Sequence, residues 1–398
     1  MKRRNATILL LSLVMVFAAS VAFAQAPSGE PIKIGGSVPL TGIASESGKW
    51  VKAGYEWWAE DVNSRGGLLG RPVKLIMYDD ESNSDKTVTY YERAITVDKV
   101  DLVFGGYPGT ANVALMPVVE KYKKVMVGQG GHGKSFDQGY TYSFGSPPLM
   151  GEWSYISTNS VFEMIPKEQW PKSAANFTMN NVIGMSATPT ILKGLEDHGC
   201  KVVVNETYNL PLSDATPLIS KAKGRNAEYL VVQGFFDDTV MIVRAAKAMR
   251  YNPKLIWNII GSRVPAWFKE MGADGDAVLA NNWFPAGLPF PGNDRIVEGS
   301  KKKFNMDTPP DFFAIAYCWM YCLEVGVRGA NSLDDTKIRD YLRSKPLDLP
   351  FGKGVVFDSK GLPPPFNYTI QTKAGKNEII WPKEYATAKL VYPREWAK

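Results

Sequence analysis

The chain has 398 residues, 45% of them apolar and 22% charged, with 46 Lys and Arg against 40 Asp and Glu for a net charge of +6. This composition excludes a disordered chain, a collagen-like fibre and a polytopic membrane protein. At about 150 residues per domain it holds two or three domains, each able to bury a core.

The basic excess is concentrated at the start. Lys2, Arg3 and Arg4 precede an uncharged apolar run from Ala6 to Phe23 that ends in Ala22-Phe23-Ala24. This is the pattern of a cleaved secretory signal peptide over residues 1–24, and the polar stretch behind it argues against a retained membrane span. Losing these bases brings the chain close to neutral, so its charge gives no reason to expect a nucleic-acid partner. Cys200, Cys318 and Cys322 are odd in number, and the last two sit four apart on one face of an apolar helix, which reads as core packing. With His132 and His198 the only histidines, neither a metal site nor a cofactor is expected.

Short β-rich runs then alternate with helical spacing. Strands are predicted at residues 32–38, 73–78, 101–105 and 124–128, and again at 174–179, 202–204, 229–232 and 255–260. Between them, Val51, Tyr55, Trp58 and Val62 mark one helix, Val88, Tyr91 and Ile95 another, and residues 240–249 a third. This rhythm means parallel sheets flanked by helices. It breaks at residues 140–171 and again at 281–291, so two α/β domains are expected. A long helix follows at 311–328, with Gly329 as its stop and Ser332 as the cap of a helix at 334–343. Strands at 352–357 and 366–372 close the chain.

Gly128-Gln129-Gly130-Gly131-His132-Gly133-Lys134-Ser135 fits the phosphate-loop pattern, which requires a helix opening at Lys134-Ser135. The following residues, 140–144, read as extended, so a nucleoside triphosphatase is disfavoured. No Gly-x-Ser-x-Gly elbow, His-Glu-x-x-His helix or calcium loop occurs. Asp79-Asp80-Glu81 and Asp237-Asp238 follow strands, where acids commonly complement a helix dipole. Two Gly-rich turns, residues 40–48 and 105–112, lie at the carboxyl ends of parallel strands, the edge where open α/β sheets bind ligands.

Ile32-Lys33-Ile34-Gly35, Pro39-Leu40-Thr41-Gly42 and the block from Asn63 to Val73, with Gly48 and Gly54, resemble the opening of periplasmic branched-chain amino-acid binding proteins, the solute receptors of ABC importers. Looser matches at Phe104-Gly105-Gly106, residues 122–127 and residues 350–358 extend the resemblance over nearly the whole mature chain. It implies two Rossmann-like lobes with parallel sheets, joined by a three-segment hinge: residues 27–145 with 281–348, and residues 146–280 with 349–398. It also implies closure on a small ligand and delivery to a membrane permease, in the periplasm, without catalysis and as a monomer. The contacts it implies are Ser47, Gly109, Thr110, Gly130 and His132 from the first lobe, and Ile183, Phe235, Phe236 and Arg263 from the second.

Arg263 stands where amino-acid-binding members are expected to carry an acid for the ligand's ammonium. A small carboxylate, aliphatic or aromatic, is therefore the expected ligand, held between Thr110 and Arg263. Other readings are a surface Arg263 covering Trp267, a sensor module of the same fold, and an exported hydrolase using Asp79 or Asp237 with His132.

Overall fold

The computed structural model describes residues 26–129, 133–146, 150–284 and 288–396; the expected signal peptide lies outside them. The chain opens with β1 (Ile32–Val38), α1 (Ser45–Ser64), β2 (Val73–Asp79), α2 (Ser84–Thr96), β3 (Leu102–Val103), α3 (Gly109–Tyr122), β4 (Met126–Gly128), the single turn α4 (Gly133–Phe136) and β5 (Ser143–Gly145). β1 lies between β2 and β3, all parallel, and β4 pairs with β5 in parallel. Nearly all of β1 is buried, as a strand covered on both faces requires.

The second lobe follows with α5 (Met150–Glu163), β6 (Ser173–Met179), α6 (Val182–Asp197), β7 (Lys201–Tyr208), α7 (Thr216–Gly224), β8 (Tyr229–Gln233), α8 (Phe236–Ala248), β9 (Leu255–Asn258), α9 (Ala266–Met271) and β10 (Val278–Asn282). β10 carries the second-lobe sheet two residues past the expected change of lobe at 280/281. The chain returns to the first lobe for α10 (Asn293–Phe304), α11 (Asp311–Ala330) and α12 (Asp335–Ser344). It then makes the hairpin β11 (Leu347–Leu349) and β12 (Gly352–Val355) and crosses back for β13 (Tyr368–Lys373) and β14 (Lys376–Trp381). The second-lobe sheet has the order β14-β13-β10-β9-β8-β6-β7, antiparallel only where β13 meets β10 and β14. The architecture is thus α/β, two lobes with three crossings.

Four local expectations need correction. The break at 140–171 contains α5, whose clean apolar stripe is interrupted because polar groups are buried beside Trp153, Val161 and Phe162: Ser157 bonds Asn281, and the Ser160 and Thr369 hydroxyls meet at 2.6 Å. The run after Gly133 does form a helix, but one turn only, ended by the turn into β5; the helix a phosphate loop needs is not there. α11 runs past Gly329 to Ala330 and stops at Asn331 in the left-handed region. Gly329 instead makes room for the Tyr341 ring, which a Cβ would meet at 1.9 Å. The cap of α12 is Asp334, whose carboxylate accepts from the Thr336 and Lys337 amides, while Ser332 accepts from the Asp334 amide.

All three cysteines are free and buried, in keeping with core packing. The first lobe is pinned where α1 crosses α11. Gly54 lets the helices approach until a Cβ there would sit 2.3 Å from the Phe313 carbonyl oxygen. Beside that contact, Arg65 bridges Asp61 at 2.9 Å and Glu324 at 2.8 Å; Arg295 also reaches Asp61, and Arg328 also reaches Glu324. Burial raises the Asp61 and Glu324 pKa values, but Arg65 and its neighbours outweigh it and hold both carboxyls below their ordinary range.

These depressed carboxyls stabilise the fold fully above the ordinary carboxylate range, and the contribution is lost as pH falls through their lowered values. Arg65→Ala is expected to cost about 2 kcal/mol in urea unfolding at neutral pH, less than a fully buried pair because Arg65 is 25% exposed and Arg295 and Arg328 remain. The deficit should shrink in acid; an equal deficit at pH 7 and below pH 3 would contradict the assignment.

Candidate ligand site between the lobes

The carboxyl ends of β1, β3 and β4 in one lobe, and of β6, β8 and β9 in the other, feed the turns that carry the expected contacts. Ser47 is buried in the first turn of α1, and the Tyr107 hydroxyl lies beside it. Gly109 and Thr110 open α3. Its cap position is Pro108, which offers no side-chain acceptor. The first turn closes at the Ala111 amide, so among the described residues the Gly109 and Thr110 amides are left without an acceptor. Gly130 and His132 lie outside the described residues.

From the second lobe, Ile183 is buried in the first turn of α6, which packs against α3 across the cleft. Phe235 is buried as the cap residue of α8, and Phe236, half-buried, begins it. Thr239, one turn on, abuts Gly261 and so ties this turn to the one carrying Arg263.

Arg263 is fully buried, which overturns the reading of it as a surface residue over Trp267. Its guanidinium lies 4.0 Å from the Trp283 ring centre and 4.9 Å from that of Phe312, and its Nη1 donates to the Ile259 carbonyl at 3.2 Å. Its Nε and Nη2 both face one oxygen, Oδ2, of Asp311 at the start of α11. Arg263 belongs to the second lobe and Asp311 to the first, so this is an ion pair between lobes. Burial pushes the Asp311 carboxyl above its ordinary value against the pull of Arg263.

Around the pair runs an aromatic wall. Tyr107 meets Phe312 edge-on at 5.1 Å, and Trp283 meets Trp153 edge-on at 5.5 Å. The Tyr107 hydroxyl and the Trp153 and Trp283 indole N–H groups are buried without a well-formed hydrogen bond to any described residue. The cleft therefore presents hydrogen-bond donors in surplus on an aromatic lining.

Sequence reasoning missed Asp311, Phe312, Trp283 and Trp153. Asp311 was legible only as a helix start; nothing local announces a partner 48 positions away. The acids proposed for hydrolysis have other work. The Asp79 carboxylate accepts from the Leu40, Thr41 and Glu81 amides and the Thr41 hydroxyl, clamping the loop after β1. Asp80 is buried against the Ser37 hydroxyl, and burial pushes it up to about 6. Asp237 is exposed in the first turn of α8.

Two α/β lobes facing each other across such a lining define a solute-binding protein rather than an enzyme. The family described as periplasmic binding protein matches residues 31–375, and the chain belongs to that family. It is a periplasmic binding protein of ABC transporters. It is 23% identical over 374 residues, covering 93% of this chain and 96% of the relative, to the leucine-, isoleucine-, valine-, threonine- and alanine-binding protein of Pseudomonas aeruginosa. Its fold is similar to that of a branched-chain amino acid transporter substrate binding protein from Streptococcus pneumoniae in complex with isoleucine, at TM-score 0.76 and 20% identity over 92% of this chain and all (100%) of that one. A solute binding protein from Rhodopseudomonas palustris in complex with 3,4-dihydroxybenzoic acid aligns at TM-score 0.74 and 17% identity, over 87% of this chain and 95% of that one.

Because the ion pair spans the lobes, Arg263→Met would leave the Asp311 carboxyl in a dry contact without its partner, and opening relieves this by returning the carboxyl to water. The variant is expected to show a larger radius of gyration in X-ray scattering. Arg263→Met with Asp311→Leu should return toward the parent value; an unchanged radius in the single variant would remove the pair from lobe closure.

Proposed function

We propose that this protein captures a small carboxylate, aliphatic or aromatic, between its lobes and hands it to a membrane permease, acting as a monomer after removal of residues 1–24. The lobes change near residues 145, 281 and 348. The observation that carries the ligand class is the surplus of buried donors: the free amides of Gly109 and Thr110, the Tyr107 hydroxyl and the two indole N–H groups. A ligand that supplies oxygen acceptors satisfies them, and the start of α3 adds the favourable end of a helix dipole. Tyr107, Phe312, Trp283 and Trp153 suit an apolar or aromatic body. Ser47, Gly109 and Thr110, with Gly130 and His132, form the first-lobe half of the site; Ile183, Phe235 and Phe236 form the other wall.

Arg263 takes a different role from the free anion receptor expected of it. Paired with Asp311 it presents no net charge, so the repulsion of an amino group expected from a lone arginine disappears. Amino acids therefore stay within reach, as the names of the Pseudomonas and Streptococcus relatives suggest, while the Rhodopseudomonas protein shows an aromatic acid held by the same fold. The donor surplus and aromatic lining favour the aromatic acid.

The test is a thermal-shift and calorimetry screen of residues 25–398 against benzoates, aliphatic acids, branched-chain amino acids and ATP with magnesium. A ligand at a hundred times its dissociation constant adds about 2.7 kcal/mol, a clear rise in midpoint. Saturable binding of acids lacking an amino group is the expected result; a response to amino acids alone would overturn the preference, and a response to ATP alone would restore the phosphate loop. Thr110→Ala should weaken the acid about three- to tenfold, the worth of one neutral hydrogen bond. Unchanged affinity would leave the backbone amides as the anchor.

A further inference from the structure

Beside the cleft lies a second concavity. It has a volume of about 620 Å³ and shares only Arg263 with the contacts proposed above. One side is the segment 306–311, which leads into α11 of the first lobe; the other is Pro265 and Phe268 with the β13–β14 hairpin of the second. Arg263 and Asp311 lie at the seam between the two sides.

The polarity of this groove is opposite to that of the cleft. Asp311 spends Oδ2 on Arg263, and its Oδ1 is buried without a partner; the Asn377 amide oxygen on β14 is also buried without one. Both groups line the groove, and both are acceptors. At the rim Asp307 is exposed, with a 3.3 Å contact to an exposed Lys301 that screens little of its charge. Of the cations that line the groove, Arg263 is paired with Asp311, and Lys376 is held by Glu378 at 2.8 Å. Phe268, Pro309, Pro310 and Ile370 supply apolar surface between these groups.

A carboxylate oxygen withdrawn from water without a donor is costly. We propose that the groove is a second ligand site, for a small molecule with a protonated amine on an apolar body, in which Asp311 Oδ1 and Asn377 accept the ammonium hydrogens. An ammonium supplies three donors and the positive charge that the acidic rim favours, and the proline and phenylalanine faces receive the body. Since the walls come from both lobes, an occupant holds them together and shares Asp311 with the interlobe pair.

The probe is benzylammonium, with benzyl alcohol as the uncharged control, followed by thermal shift and calorimetry at neutral pH on residues 25–398. The expected result is a saturable rise in midpoint with benzylammonium and none with the alcohol. Thr308→Trp, at an exposed position on the groove wall, fills the space without touching the ion pair and should abolish the response. Asn377→Leu should weaken it several-fold, and Asp311→Asn more than tenfold. Asp311→Asn also breaks the interlobe pair and carries weight only if its midpoint without amine matches the parent; the other two variants decide the matter alone. A response that survives Thr308→Trp would place the amine in the cleft and overturn the second site. No response up to tens of millimolar, or an equal response to benzyl alcohol, would show that water alone satisfies Asp311 and would overturn it as well.

Discussion

The two lobes of this protein are tied together beside the cleft by a buried ion pair between Arg263 and Asp311. Each partner comes from a different lobe, and the guanidinium is flanked by Trp283, at the crossing just past β10, and by Phe312 beside Asp311 on α11. A pair this dry gains little over an apolar contact of equal size, because desolvation offsets the Coulomb attraction. Its value is geometric: the planar fork fixes how the second lobe's 261–263 turn meets the start of α11. The aromatic wall takes its position from that meeting, since Tyr107 packs on Phe312 and Trp153 on Trp283. The ligand cleft is therefore shaped by a contact that need not touch the ligand's charge.

For that contact to act as a closure between lobes, each half must be stiff on its own. In the first lobe the stiffness comes from α1 and α11, drawn together at Gly54 and laced by Arg65, Asp61 and Glu324. Asp311 opens the same helix that Glu324 anchors, so its position is inherited from the α1–α11 contact. In the second lobe, the polar face of α5 reaches β10 and β13 through Ser157–Asn281 and Ser160–Thr369. Those bonds set Trp153, on the same helix, against Trp257 and Trp283. Packing that stabilises each lobe thus doubles as support for the site.

What was legible in the chain follows from this division of labour. Parallel strands buried on both faces, such as β1 and β8, leave continuous apolar runs, and amphipathic helices such as α1 leave a 3.6-residue rhythm. The Gly-rich turns marked the carboxyl ends of the strands, so Ser47, Gly109 and Thr110 were reachable from spacing and resemblance. α5 was illegible because its buried side mixes Trp153, Val161 and Phe162 with serines and a threonine, and the burial of Ser157 and Ser160 depends on partners more than a hundred positions away. Arg263 was found, but its state was not. A charged residue reads as a free charge until the fold supplies its partner, and Asp311 carried only the mark of a helix start.

The neutralised arginine also divides the surface into two chemistries. On the cleft side the unsatisfied groups include the α3 amides, the Tyr107 hydroxyl and the indole nitrogens; in the groove they include the acceptors Asp311 Oδ1 and Asn377 Oδ1. A bidentate pair would have used both Asp311 oxygens. Asp311 gives a single oxygen to two guanidinium nitrogens, so its second oxygen is buried without a partner, and the groove that borders it draws its walls from both lobes. Any molecule that binds there prefers the arrangement in which those walls are adjacent, which is also the arrangement in which the cleft is formed. Were both proposed sites occupied, reciprocity would require the cleft ligand and the groove ligand to strengthen each other, in equal measure, through the residue pair that both sites border.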